Sequence, residues 1–184
     1  MYIKEVDFGM MERLHGTADR ELQIEIDAGN EYVQYLKAKM EEGNVSLEEA
    51  VRVWASTGIP QFAQSIPNPV LAKQAGKLVA PYPRPGAFTE AAMNAIEHGT
   101  GFGSTGNVVI SLRNNARSFL FQVTDPGAGF EPEKLAEPSK ALGSSRGNGL
   151  ISLNRCPALV NCERTTEGFR VAILYTLNTS VSST

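Results

Sequence analysis

The stretch "NVVISLRNNARSFLFQVTD", residues 107–125, decides how this chain is read. Val108, Ile110 and Leu112 alternate with other residues, and so do Phe119, Phe121 and Val123. A period of two marks strands with one face on a core. The segment "NNAR" between them is turn-like, so the two runs predict an antiparallel hairpin. Downstream, "VNCERTTEGFRVAILYTL" (160–177) predicts a second hairpin, turned at Glu167 and Gly168. Between the hairpins, residues 126–149 are rich in Gly, Pro and Ser and long for a loop, a length usually tied to function or disorder. "LISLNRCPALV" (150–160) follows as a helix with a proline interruption. Upstream, "FTEAAMNAIEHG" (88–99) belongs to a helix over roughly residues 86–98. The sum is an α+β fold: a two-layer sandwich of a mostly antiparallel sheet with helices on one face.

Further upstream, "APYPRPG" (80–86) reads as a stiff connector, because each proline pushes its predecessor out of the helical region. It divides the chain into a strand and helical extension (1–80), a second domain (81–178) and a polar tail (179–184). Within the extension, "ELQIEID" alternates Leu22, Ile24 and Ile26 and predicts a strand. Three helices are expected after it. The first is capped by Asn30 and stopped at Gly43, the second has the capping-box pair Ser46 and Glu49, and the third has Asn68 as cap with Pro69 at its first position. None of these segments carries recognisable chemistry, and their apolar stripes read as packing surfaces.

Composition narrows the classes. Lys and Arg number 17 against 20 Asp and Glu, for a net charge of −3. Without clustered cations to neutralise phosphates, nucleic-acid binding is excluded as the main activity. No apolar run is long enough to span a bilayer. The first residues, "MYIKEVDFGMMERLHG", are acidic and lack the apolar core of a secretory signal. Cys156 and Cys162 have no CxxC spacing and read as buried, reduced thiols of a cytoplasmic protein. Gly101, Gly103 and Gly106 spell G-x-G-x-x-G. The dinucleotide fingerprint needs a strand before that motif and a helix after it, and here the order is reversed. A connector from helix to strand is the better reading.

Three motifs recur in one order. Glu90, Asn94 and His98 stack on one face of the 88–99 helix. Asp125, Gly127 and Gly129 form D-x-G-x-G at a strand end. "GSSRGNGL" (143–150) holds Gly143, Arg146, Gly147, Asn148, Gly149 and Leu150 where a helix opens. Each is common alone; the order and settings make them specific together.

In "TEAAMNAIEHG", "FQVTDPGAGFEP", "GSSRGNGLISL" and "TEGFRVAILY" the chain resembles the superfamily of ATPases with the Bergerat-type fold. That superfamily includes gyrase, the ninety-kilodalton heat-shock chaperone, the histidine kinases and the mismatch-repair ATPases. Within it the likeness is greatest to the anti-sigma-factor serine kinases of bacterial partner-switching systems, and it covers about residues 86–177. The implied cofactors are ATP and Mg²⁺. An amide oxygen such as that of Asn94 suits Mg²⁺, which keeps most of its waters. Glu90, one turn earlier, would act as general base on an attacking hydroxyl. The resemblance implies that Asp125 accepts a hydrogen bond from the adenine amino group, with Gly127 and Gly129 letting the backbone approach the base. Free N–H groups at the helix opened by Gly147 and Gly149 favour phosphate, and Arg146 is implied to reach the terminal one. His98 either touches the phosphates or closes its helix.

Two departures from the family stand out. The prolines and Gly86 leave about one turn of helix before Glu90, where the family has more. The last hairpin carries Gly168-Phe169 where the family has Gly-Thr. The implied function is an ATP-dependent serine kinase that is also a partner switch. It would hold a sigma factor or similar regulator and phosphorylate a STAS-type antagonist, and the resemblance implies a homodimer. A nucleotide-sensing interaction module without catalysis is the alternative.

Overall fold

A computed structural model describes residues 6–27, 30–43, 46–81, 85–101, 106–129 and 158–177 of the chain. The motif at 143–150, the helix expected from 150, Cys156 and the tail lie outside the described residues. The elements are α1 (Phe8–His15), β1 (Arg20–Ile26), α2 (Glu31–Glu42), α3 (Leu47–Ser56), α4 (Ile59–Gln64), α5 (Pro69–Val79), α6 (Ala87–Asn94), a π-helical segment (Ala95–Gly99), β2 (Val108–Asn114), β3 (Ser118–Asp125), β4 (Leu159–Thr165) and β5 (Gly168–Thr176).

The strands form one sheet in the order β1-β2-β3-β5-β4, and every pairing is antiparallel. The register lines up the alternating residues across all five strands. Leu22 lies opposite Leu112, Leu112 opposite Phe121, Phe121 opposite Ile173, and Ile173 opposite Val160. A slip of one residue would turn this apolar row to the wrong face, which is why the hydrophobic pattern specifies the pairing. Phe121 is the hub of the resulting core. Its ring meets Phe88 edge-on at 5.4 Å, Phe62 at 6.4 Å and Phe119 at 4.5 Å.

The helices on this face are set by their caps and by one polar tie. Ser46 Oγ accepts the Glu49 N–H, one half of the expected capping box, while Glu49 accepts from the Ser46 hydroxyl. Asn68 Oδ1 accepts from the N–H groups of Val70 and Leu71 at the start of α5. Trp54, on α3, is fully buried and donates its indole N–H to the Val79 carbonyl at the end of α5, at 2.6 Å. That bond joins α3 to α5 inside the core.

The expected α+β sandwich is therefore the observed class, with one addition. α1 packs on the opposite face, where Val6, Phe8 and Met11 bury against Leu120, Ala172 and Leu174. Arg170 holds it there: its guanidinium lies 3.6 Å from the centre of the Phe8 ring and pairs with Glu163. This second cover explains why residues of both parities along β3 are buried. α4 was also not expected. Gly58, in a left-handed conformation, separates it from α3, and it spans only six residues. Leu159, read within a helix, instead begins β4 opposite Leu174, and Val160, where the closing hairpin was expected to start, lies opposite Ile173. The closing turn falls one residue earlier than read: Thr166 and Glu167 make it, and Gly168 already pairs with Thr165.

Candidate functional site

α6 enters the core directly from α5. The Gly86 N–H donates to the Ala80 carbonyl at 2.8 Å, and helix begins at the next residue. Ala87, Phe88, Ala91 and Ala92 bury the apolar side. Glu90 lies in the first turn, half-buried, and burial alone pushes its carboxyl above the usual glutamate value. Asn94 ends the helix and is also partly buried. Neither side chain takes a hydrogen bond from another described residue.

The chain then widens into the π-helical segment. The Thr100 N–H reaches back five residues to the Ala95 carbonyl, and the Thr100 hydroxyl donates to the Ile96 carbonyl. Such single wide turns concentrate at functional sites. Here its result is to lay Gly99 on Asp125, at the far end of β3. A Cβ on Gly99 would stand 2.2 Å from Asp125 Cγ and 2.3 Å from Oδ1, so only glycine fits. Asp125 is 8% exposed. One of its oxygens accepts the Gly127 N–H at 2.8 Å. Burial raises its pKa above the usual aspartate value, and the Gly127 hydrogen bond offsets part of that rise.

Opposite Asp125 in the sheet lies Phe169, buried, with its ring against the Cα of Gly129. A Cβ on Gly129 would meet that ring at 1.9 Å, and its backbone has φ +69°. Asp125 thus sits among Gly99, Gly127, Gly129 and Phe169, while α6 lies against the same strand. Gly99 and Gly127 close on the Asp125 carboxyl and the Phe169 ring closes on Gly129, so the absence of side chains at the three glycines is what lets this corner pack.

The remaining expectations divide. His98 is exposed, 4.0 Å from the Glu97 carboxylate, with no other partner among the described residues. Gly143, Arg146, Gly147, Asn148, Gly149 and Leu150 lie outside the described residues. Gly101 and Gly106 both have positive φ and stand between a helix and β2, the setting of a connector. Gly99 was not singled out in the sequence, where it only closed the stretch 88–99. Its contact with Asp125 joins positions far apart in the chain, and no local pattern signals it.

Of the donors a magnesium nucleotide would need, the described residues offer the Asn94 amide oxygen. Among the described residues no three His, Cys, Asp or Glu side chains gather to hold a metal. A Mg²⁺ ion here would rest on the Asn94 amide oxygen together with phosphate and water oxygens, the ligation this ion prefers. Cys162, the other thiol considered, is a free cysteine in β4 whose pKa burial pushes up to about 12, so it is inert. No helix among the described residues is long and apolar enough to cross a membrane.

No curated protein matches the chain. Residues 86–174, which carry α6, the π-helical segment, β2 to β4 and most of β5, match the family model described as histidine kinase-like ATPase domain, and this match supports an ATP-binding, kinase-like ATPase domain over that part of the chain.

Proposed function

We propose that this protein is an ATP-dependent serine kinase of the anti-sigma type, acting as a partner switch. The observation that carries the reading is the buried Asp125 at the end of β3, packed against Gly99 and Gly127, on the strand that α6 with its Glu90 and Asn94 lies against. The family match to residues 86–174 supports the ATP half of the proposal.

In this reading Asp125 accepts from the adenine amino group and so rejects guanine, whose edge would leave the buried acceptor unpaired. Asn94 holds the magnesium ion, which when bound offsets the charge of the phosphates. Arg146 steadies the γ-phosphate. The serine hydroxyl of a STAS-type antagonist attacks the γ-phosphorus while its proton passes to Glu90. The bond from phosphorus to the ADP oxygen breaks, and ADP leaves with the electron pair. The raised pKa of Glu90 suits a base better than an ordinary surface carboxylate would. The protein holds a sigma factor or similar regulator in one state of the switch.

Radiolabel transfer from ATP to a STAS-type antagonist tests this. Wild type transfers label, and Glu90→Ala slows transfer by about 10²-fold or more. No transfer by wild type, or transfer undiminished in Glu90→Ala, contradicts the kinase.

A second reading, a nucleotide-sensing module without catalysis, is favoured by one residue. Phe169 brings a ring to the position opposite Asp125 where the kinases it resembles have a hydroxyl. Calorimetry separates the readings: tight ATP or ADP binding without turnover supports the module.

A further inference from the structure

The first turn of α6, which carries Glu90, is held by hydrogen bonds that lead back to α3. No side chain caps α6. Gly86 is its N-cap, and the Gly86 carbonyl accepts the Glu90 N–H at 3.0 Å. The Gly86 N–H in turn donates to the carbonyl of Ala80, the residue that ends α5, at 2.8 Å. Gly86 also lies directly on the last turn of α5. A Cβ there would stand 2.2 Å from the carbonyl oxygens of both Lys77 and Leu78, so the two helix ends meet backbone to backbone.

The end of α5 is itself fixed from α3. The last carbonyls of a helix find no partner within it. That of Val79 takes the indole N–H of Trp54, at 2.6 Å, and both residues are buried. Leaving a buried acceptor unpaired is costly, so the bond restrains the carbonyl as well as the ring. Trp54 thus sets where α5 stops, α5 sets where Gly86 lies, and Gly86 starts the helix that carries Glu90.

Packing alone does not fix that helix along its axis. Ala87, Phe88, Ala91 and Ala92 bury their apolar side, and apolar burial is non-directional. Hydrogen bonds have narrow limits of distance and angle. The route from Trp54 to the Glu90 N–H therefore supplies the direction that the apolar contacts lack.

We propose that Trp54 is a positioning residue of the nucleotide site: its indole N–H, through the last turn of α5 and Gly86, fixes the place of α6 and of Glu90. The site thereby answers to α3, which belongs to the helical extension before the proline connector. The part Glu90 plays in transfer rests on the kinase reading, and the positioning does not. Misplacing a reacting group by about 1 Å can cost about 10²-fold in rate, so one hydrogen bond remote from the chemistry is enough to matter.

Trp54 is the only tryptophan of the chain, so an analogue with sulfur in place of the ring N–H can replace it alone and keep its shape. Trp54→Phe is the second variant, which loses the N–H with part of the ring. In both, within the full chain, amide hydrogen exchange at Glu90 quickens by about tenfold or more, while β2 and β3 exchange as in wild type. In radiolabel transfer kcat falls by about tenfold or more and KM for ATP stays within about twofold, a split that general loosening of the core does not give. Exchange at Glu90 unchanged in the sulfur analogue, or quickened equally in β3, overturns the proposal, and so does transfer with kcat unchanged. If wild type transfers no label, the kinase reading falls alone and the exchange comparison still decides the positioning.

Discussion

Asp125 shows in one side chain how a site can work against the fold that holds it. Burial disfavours its charged form, and the Gly127 N–H compensates only in part. Its folded pKa therefore lies above the unfolded one. The sign follows: its stabilising contribution is fully present below the ordinary aspartate value and is lost as pH rises through the raised one. Glu90 behaves in the same way, for burial alone. Asp125→Asn keeps an oxygen for the Gly127 N–H and removes the buried charge. Thermal unfolding of that variant at pH 7.5 should occur above wild type, by roughly 2–4 °C per kcal/mol gained. The gain should vanish as the pH falls through the ordinary aspartate range. Equal unfolding temperatures at pH 7.5 would show that the carboxylate is not strained by burial.

At the scale of elements, the deciding piece is the π-helical segment after α6. An α-helix continued past Asn94 would deliver its end elsewhere; the wide turn delivers Gly99 to the Asp125 carboxyl. Gly99→Ala should therefore cost about 1–3 kcal/mol, the usual range for an overpacked contact. Denaturant unfolding checks this, and the cost should largely disappear in an Asp125→Gly background, where the three atoms nearest the new methyl are gone. A cost unchanged in that background would place the strain outside this contact.

How much of this was legible follows from the range of each interaction. Alternation is local, and so the strands around Ile110, Phe121 and Ile173 could be read from the sequence. So could the caps at Ser46 and Asn68. α1 and α4 are too short for a helical period to stand out, and the π-helical turn has no simple residue pattern. Leu159 followed an apparent helix, and only its pairing with β5 makes it strand. Glu90 and Asn94 were visible because helical spacing puts them on one face. The Gly99–Asp125 contact was hidden because it joins positions 26 residues apart through the fold.

For the whole molecule, the sheet crosses the proline connector. β1 lies before that connector yet pairs with β2 along its full length, from Arg20 opposite Asn114 to Ile26 opposite Val108. α5, also before it, packs against α6 and β3. A fragment spanning residues 81–178 would leave the β2 edge unpaired and the faces of Phe88 and Phe121 partly uncovered. An open apolar edge of that kind invites association. The fragment should be aggregated or partly unfolded by light scattering and circular dichroism, and the full chain should not. A monomeric fragment with native-like spectra would show that residues 1–80 do not help complete the core.

The account rests on Asp125 as the group that recognises the adenine edge. Calorimetric titration of wild type and Asp125→Asn with ATP in excess Mg²⁺ tests it most directly. The amide would turn a donor toward the adenine amino group, itself a donor, so the two would oppose each other. The prediction is saturable ATP binding to wild type and binding at least about tenfold weaker to Asp125→Asn, in a variant that unfolds no earlier than wild type. Equal affinity in the two proteins, or no ATP binding by wild type, would contradict the account.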